Sequence, residues 1–201
     1  MSAPPDTRGR LLDAARRLIE DGGYGTASVI AIAERAGLAA GTLYRHFGSK
    51  QELFVEVFRA VCDREVRAMQ AAAQEMPPEA THVERLETVF ATFAERALRR
   101  RRLAWALLAE PVDPLVDAER LTYRQRYAAL VASVLEAAIT AGELPHQTVE
   151  LTAAALVGGC GEALVGPLAP VGPRVEVDEV LSALRTFGRR AAGAAERVGA
   201  R

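Results

Sequence analysis

The sequence predicts an all-α protein in which a small N-terminal head sits on a larger helical bundle. Three observations predict it. Apolar residues recur at spacings of three and four along nearly the whole chain, as one face of a helix requires. No run shows the two-residue alternation of a half-buried strand. Glycines and prolines cut the chain into segments of helical length. At 201 residues, half of them apolar and a quarter charged, the chain has the composition of an ordinary soluble globular protein.

The first helix spans about 7–21, with Leu11, Leu12, Ala15, Leu18 and Ile19 on one face, and Gly22-Gly23 stops it. A second starts near Ser28, capped by Thr26 or Ser28, and ends before Gly37. The third is short, about 40–47. The fourth follows Gly48-Ser49, where Ser49 and Glu52 have the spacing of a capping box. Its stripe of Leu53, Phe54, Val57, Phe58, Val61, Cys62, Val66 and Met69 leads to a hinge at Met76-Pro77-Pro78. Further helices are expected near 80–100, 102–109, 114–141, 146–169 and 177–193. Pro111, Pro114, Gly142, Pro145, Pro167, Pro170 and Pro173 separate them.

Residues 28–47 have the pattern of a helix-turn-helix. The close crossing of two short helices wants a small residue, and Ala33 supplies it. Gly37 takes the turn, where a side chain would clash. Val29, Ile32, Leu38 and Leu43 fill the small core behind it. The second of the two helices would then expose Thr42, Tyr44, Arg45 and His46, all able to hydrogen-bond phosphates or base edges. Bulk charge adds nothing, since the net charge is −1. Charge in the head is also nearly balanced, so binding would rest on local placement.

The run Ser28-Val29-Ile30-Ala31-Ile32-Ala33-Glu34-Arg35-Ala36-Gly37, then Gly41-Thr42-Leu43-Tyr44-Arg45-His46-Phe47, then Ser49-Lys50-Gln51-Glu52-Leu53-Phe54 resembles the DNA-binding region of the tetracycline-repressor (TetR) family. Gly23-Tyr24 before it matches too. The resemblance implies a cytoplasmic homodimeric repressor of double-stranded operator DNA, released by a small-molecule inducer. Carried onto this chain, it implies DNA contacts by Thr42, Tyr44 and His46. Lys50, Thr26 and Ser28 would lie on phosphates at helix N-termini. Tyr44 has a second reading, as packing within the motif. Two departures remove contacts that relatives make: Ala39-Ala40 replaces a serine and a basic residue, and Ile30 a polar or basic one.

The division expected is a DNA-binding head over 1–50 and a ligand-binding and dimerisation bundle over 51–201. In the helix near 114–141, Asp117, Leu121, Arg124, Ala128, Val131, Leu135 and Ala138 share one face by alternating steps of four and three. Arg124 in such a seam needs a partner, and Glu110 and Glu162 are the candidates. The pair is either structural or a polar anchor for a ligand walled by Phe90, Phe93, Trp105, Tyr123 and Tyr127. A mostly hydrophobic, anionic or amphipathic compound would suit those walls.

The stretch 151–169 is apolar nearly all round but holds Glu162, Pro167 and four glycines, so a buried helix is expected in place of a membrane span. Leu151, Gly158 and Gly159, with Val180, Leu184 and Phe187 of the last helix, would form a four-helix dimer interface. Residues 1–7 lack the pattern of a signal peptide, and the separated Cys62 and Cys160 suit a reducing cytoplasm. No cofactor or metal is expected, because His46, His82 and His146 are scattered and no zinc, phosphate-loop or paired-carboxylate spacing occurs. An enzyme and a purely protein-binding helical module are the readings set against the regulator.

Overall fold

The computed structural model describes residues 6–171 and 175–195. Residues 1–5 of the segment read as lacking a signal peptide, and Pro173 with its expected role as a helix stop, lie outside them. The described residues form α1 (Thr7–Gly22), α2 (Val29–Ala36), α3 (Gly41–His46), α4 (Lys50–Gln74), α5 (His82–Arg99), α6 (Arg101–Leu108), α7 (Pro114–Thr140), α8 (Val149–Leu168) and α9 (Val177–Ala191). No strand occurs among them. The all-α fold and the order of its helices are as the sequence predicts. A 3₁₀ turn over Tyr24–Thr26 joins α1 to α2.

Helix starts are fixed by side chains that take up free backbone amides. Asp6 accepts from Gly9 N at 2.6 Å, Ser28 from Ala31 N at 3.1 Å and Ser49 from Glu52 N at 3.1 Å. The reciprocal arm expected at Ser49 lands one residue earlier, because the Glu52 carboxylate accepts from Gly48 N at 3.0 Å. A complete capping box is found at Thr81 and Glu84 instead. Gly37 ends α2 in the left-handed region at φ 65°, which lets the chain reverse into α3.

Two cores follow. The first joins Leu11, Ala15 and Ile19 of α1, Ile32 of α2, and Leu43 and Phe47 at α3 to Leu53, Phe54, Val57 and Phe58 of α4. It continues into Leu103 and Ala106 of α6 and Val116 and Tyr123 of α7. The second is built from Met69 of α4, Val89 and Phe90 of α5, Val131 and Leu135 of α7, Leu156 and Leu164 of α8, and Leu184 of α9. Helix α4 therefore contributes to both cores. Fully buried side chains such as Ile32 and Leu43 each stabilise the fold by about 1.5–3 kcal/mol.

The seam expected on α7 is displaced over its first half. Val131, Leu135 and Ala138 are buried as predicted, but Leu121 and Arg124 are exposed, and Val116 and Tyr123 take the buried face. The helical period accounts for part of the shift. A strict repeat of 3.5 residues drifts by ~20° per heptad from a straight helix of 3.6. The arginine on the inner face is Arg120.

Helix α8 buries one side, Ala153, Leu156, Cys160, Leu164 and Leu168, in the second core. Its other side leaves Leu151, Ala154, Ala155, Gly158 and Glu162 open. By length and composition alone α8 could cross a membrane.

Candidate nucleic-acid interface

Helix α3 presents its outward face through Ala40, Gly41, Tyr44 and Arg45, which share a side by steps of three and four. Tyr44 is 58% exposed, and His46 is exposed beside it. Thr42 corrects the sequence reading, being only 6% exposed. Its hydroxyl accepts from Arg45 Nη2 at 3.0 Å, so it holds Arg45 in place rather than standing open itself.

The flanks carry the other expected residues. Ser28 is exposed, and because its oxygen accepts from Ala31 N its own hydroxyl proton remains to be donated. Thr26 departs from expectation: it does not cap α2, and its hydroxyl lies against Gly23 O at 2.9 Å and Leu18 O at 3.0 Å, tying the turn to α1. Lys50 begins α4 with its ammonium 5.3 Å from the centre of the Phe54 ring.

Behind this face the charges cancel in pairs. Arg8 meets Glu56, Arg16 lies 2.7 Å from Glu20, Arg17 2.8 Å from Asp13, and Arg35 binds Asp21. Arg10 is spent on the Ala36 and Gly37 carbonyls that end α2, a role no sequence signal marked. Among the described residues, Arg45 and Lys50 are the head's cations with neither a carboxylate nor a backbone carbonyl to hold them. Positive charge is therefore left uncompensated at α3 and at the start of α4.

The bundle separates the expected ligand residues. Phe93 and Tyr127 lie 5.6 Å apart and Tyr127 and Tyr123 6.4 Å apart, with Phe58 5.6 Å from Tyr123. Trp105 is half-buried on α6 against the second core. Phe90 faces away to α9, where a Cβ on Gly188 would come within 2.9 Å of its ring. Beside Tyr127 lies the Cys62 thiol, and burial pushes that thiol up to about 12 and the Tyr127 hydroxyl well above its ordinary range. Tyr123 donates to Asp63 at 2.6 Å; this bond and Arg126 hold the Asp63 carboxyl below the usual range.

Neither expected partner reaches Arg124. Glu110 faces Arg102, whose Nη1 donates to it at 3.2 Å, and Glu162 is exposed on α8. The inward Arg120 donates to the Leu107 and Ala106 carbonyls, each at 2.8 Å, and to that of Glu110, closing the end of α6. Sequence reasoning missed it because the α7 seam was placed one residue off. Near this junction the Tyr24 hydroxyl is buried with no hydrogen-bond partner among the described residues.

The residues read as a dimer face divide similarly. Leu151, 69% exposed, and Gly158 are open. Leu184 is buried in the chain's own second core, and Val180 is half-buried against it. Gly159 serves α8 against α9 within one subunit, because a Cβ there would lie 2.7 Å from the Phe187 ring.

Residues 11–57 match the family model for bacterial regulatory proteins of the tetR family. The transcriptional repressor KstR2 of Rhodococcus jostii is 32% identical over 155 residues, 71% of this chain and 74% of its own. The repressor KstR of the same species is 35% identical over 99 residues, and the match spans 49% of this chain and less than half, 44%, of KstR. Among solved structures, the FadR regulator of Bacillus subtilis in complex with stearoyl-CoA shares the fold with a TM-score of 0.75 at 20% identity, over 89% of this chain and 96% of that one. With the family model matched over residues 11–57 and a repressor relative aligned across most of both chains, this chain belongs to the tetR family of bacterial regulatory proteins.

Proposed function

We propose that the chain is a ligand-responsive transcriptional repressor that binds operator DNA as a homodimer and releases it on binding a small hydrophobic inducer. The observation that carries this is the outward face of α3. Tyr44, Arg45 and His46 stand open there, while the cations behind them are neutralised in pairs. A helix of six residues carrying these groups fits the major groove, with Arg45 toward base edges. Ser28 and Lys50 donate to phosphates on either side, which fixes register and carries no sequence information. Thr42 acts through Arg45, and Thr26 acts through the turn.

The dimer is supported by the open apolar side of α8, where Leu151, Ala154, Ala155 and Gly158 leave one helix face without cover. A second copy related by a two-fold axis covers it with the same face and places the two heads side by side. The inducer class is supported by the Phe93, Tyr127 and Tyr123 run on α5 and α7 and by the stearoyl-CoA carried by a FadR regulator of the same fold. A long-chain acyl thioester is the compound we assign, its tail against these rings.

A gel shift with the DNA flanking the chain's own gene, at about 150 mM salt, tests the reading. It predicts a specific shifted band that stearoyl-CoA abolishes and the free acyl-less coenzyme does not. A shift that competitor DNA of random sequence removes equally well would overturn it. Hydrolysis of the thioester by the protein would favour an enzyme instead.

A further inference from the structure

We infer that Ile30 and Ala40 read thymine through its 5-methyl group, so that each operator half-site carries thymines at the positions these side chains face. The inference rests on the reading of the head as a DNA-binding unit. It begins from an anomaly of packing. The head's core is closed by Leu11, Ile19, Ile32, Leu43 and Phe47, all buried, and Ile30 has no part in it. Ile30 stands 63% exposed at the second position of α2. Local structure does not ask for it either, since a β-branched residue favours a helix less than alanine or arginine does.

Its position explains it. Ile30 comes two residues after Ser28, whose free hydroxyl proton is offered at the same helix start. Ala40 is exposed immediately before α3, four residues from Tyr44 on the outward face. Lys50, at the start of α4 and without a carboxylate or carbonyl, draws the phosphates to this edge, while Arg45 on α3 is left for the base edges. The two short apolar side chains have no donor or acceptor, so they cannot read the hydrogen-bonding pattern of a base pair. The apolar feature on the major-groove edge of DNA is the thymine methyl, and apolar side-chain groups are its usual contact. The apolar side chains therefore do not leave an empty place in the recognition surface. They change what it reads, from charge or hydrogen bonds to methyl groups.

The test begins by selecting duplexes from a random pool with the full chain. In the best selected duplex each thymine is then replaced in turn by deoxyuridine, which removes the methyl and keeps every hydrogen-bonding group. Affinity is read by fluorescence anisotropy. At one or two positions per half-site, uracil weakens binding by the wild-type chain about fourfold per buried methyl. Ile30→Ser, which folds because the side chain is exposed, binds thymine and uracil equally at the position Ile30 faces. Ala40→Gly loses the discrimination at the other. Equal binding of every uracil duplex by the wild type overturns the inference and leaves the DNA-binding reading standing. Discrimination retained in both variants overturns it too, since the methyls are then read elsewhere. If no duplex is enriched at all, the DNA-binding reading falls and the inference with it.

Discussion

Arg102 Nη2 donates to the carbonyl of Gly22 at 2.8 Å, joining α6 to the end of α1 across 80 residues of chain. Glu110 holds the other arm of the guanidinium, and the guanidinium lies over Gly23, where an added Cβ would stand 1.8 Å from Nη2. Gly23 has φ 84°, a region L side chains rarely adopt. Gly23→Ala is therefore expected to cost about 1–3 kcal/mol, and Arg102→Ala about 1–2 kcal/mol, in thermal or urea unfolding. Combined, they cost less than the two separate effects added, because the first loss already frees the space the second needs. Additive losses would show that Arg102 does not constrain Gly23.

The orphaned Tyr24 hydroxyl gives a prediction of opposite sign. A buried hydroxyl without a partner costs about 1–3 kcal/mol, while the ring packs 5.2 Å from Phe54 and belongs to the core. Tyr24→Phe keeps the ring and removes the cost, so the variant should melt higher. A lower melting temperature would mean that the hydroxyl is satisfied.

On the DNA face, charges and fingertips separate by salt dependence. Lys50→Ala weakens binding to every duplex sequence and lowers the slope of log affinity against log salt by about 1. Arg45→Ala instead relaxes sequence preference at one position, and Thr42→Val does the same to a smaller degree by freeing Arg45. Measuring affinity over a salt series, with specific and random duplexes, distinguishes the two.

The buried thiols set an alkaline limit. Cys62 and Cys160 are both pushed from 9.0 up to about 12 by burial. Between these values the unfolded chain has lost the thiol protons and the folded chain retains them. The stability they contribute is whole below about pH 9 and is lost as pH rises toward 12. Unfolding midpoints in urea should therefore fall over this window. The fall should be smaller in Cys62→Ala, even though that variant starts less stable.

The apolar side of α8 predicts the assembly state. Leu151→Glu puts a carboxylate on the open face of α8, and sedimentation should find monomers where the parent chain gives dimers. Affinity for DNA should fall with the dimer, since one head alone holds half the contacts.

Much of this is legible in the sequence. The turn at Gly37, the cap at Ser49 and the core at Ile32 and Leu43 are local in sequence, so spacing alone finds them. What escaped is contact between distant segments. Arg120 and Arg102 both point at backbone carbonyls, and a carbonyl leaves no trace in residue identity. A 3.5-residue repeat puts Arg124 on the inner face; it departs from the 3.6-residue helix by about 20° per heptad, a drift that accumulates along the 27 residues of α7. Thr42 looked exposed because a hydroxyl suits DNA, whereas its partner Arg45 lies one turn on in the same helix.

The measurement that bears most directly on the central claim is a hydroxyl-radical footprint on the DNA flanking the chain's own gene. Two protected patches are predicted, related by a two-fold axis and spaced by about one turn of the duplex or a multiple of it. Both should vanish together in Leu151→Glu. Uniform protection, or none at protein concentrations that saturate the dimer, would contradict the account.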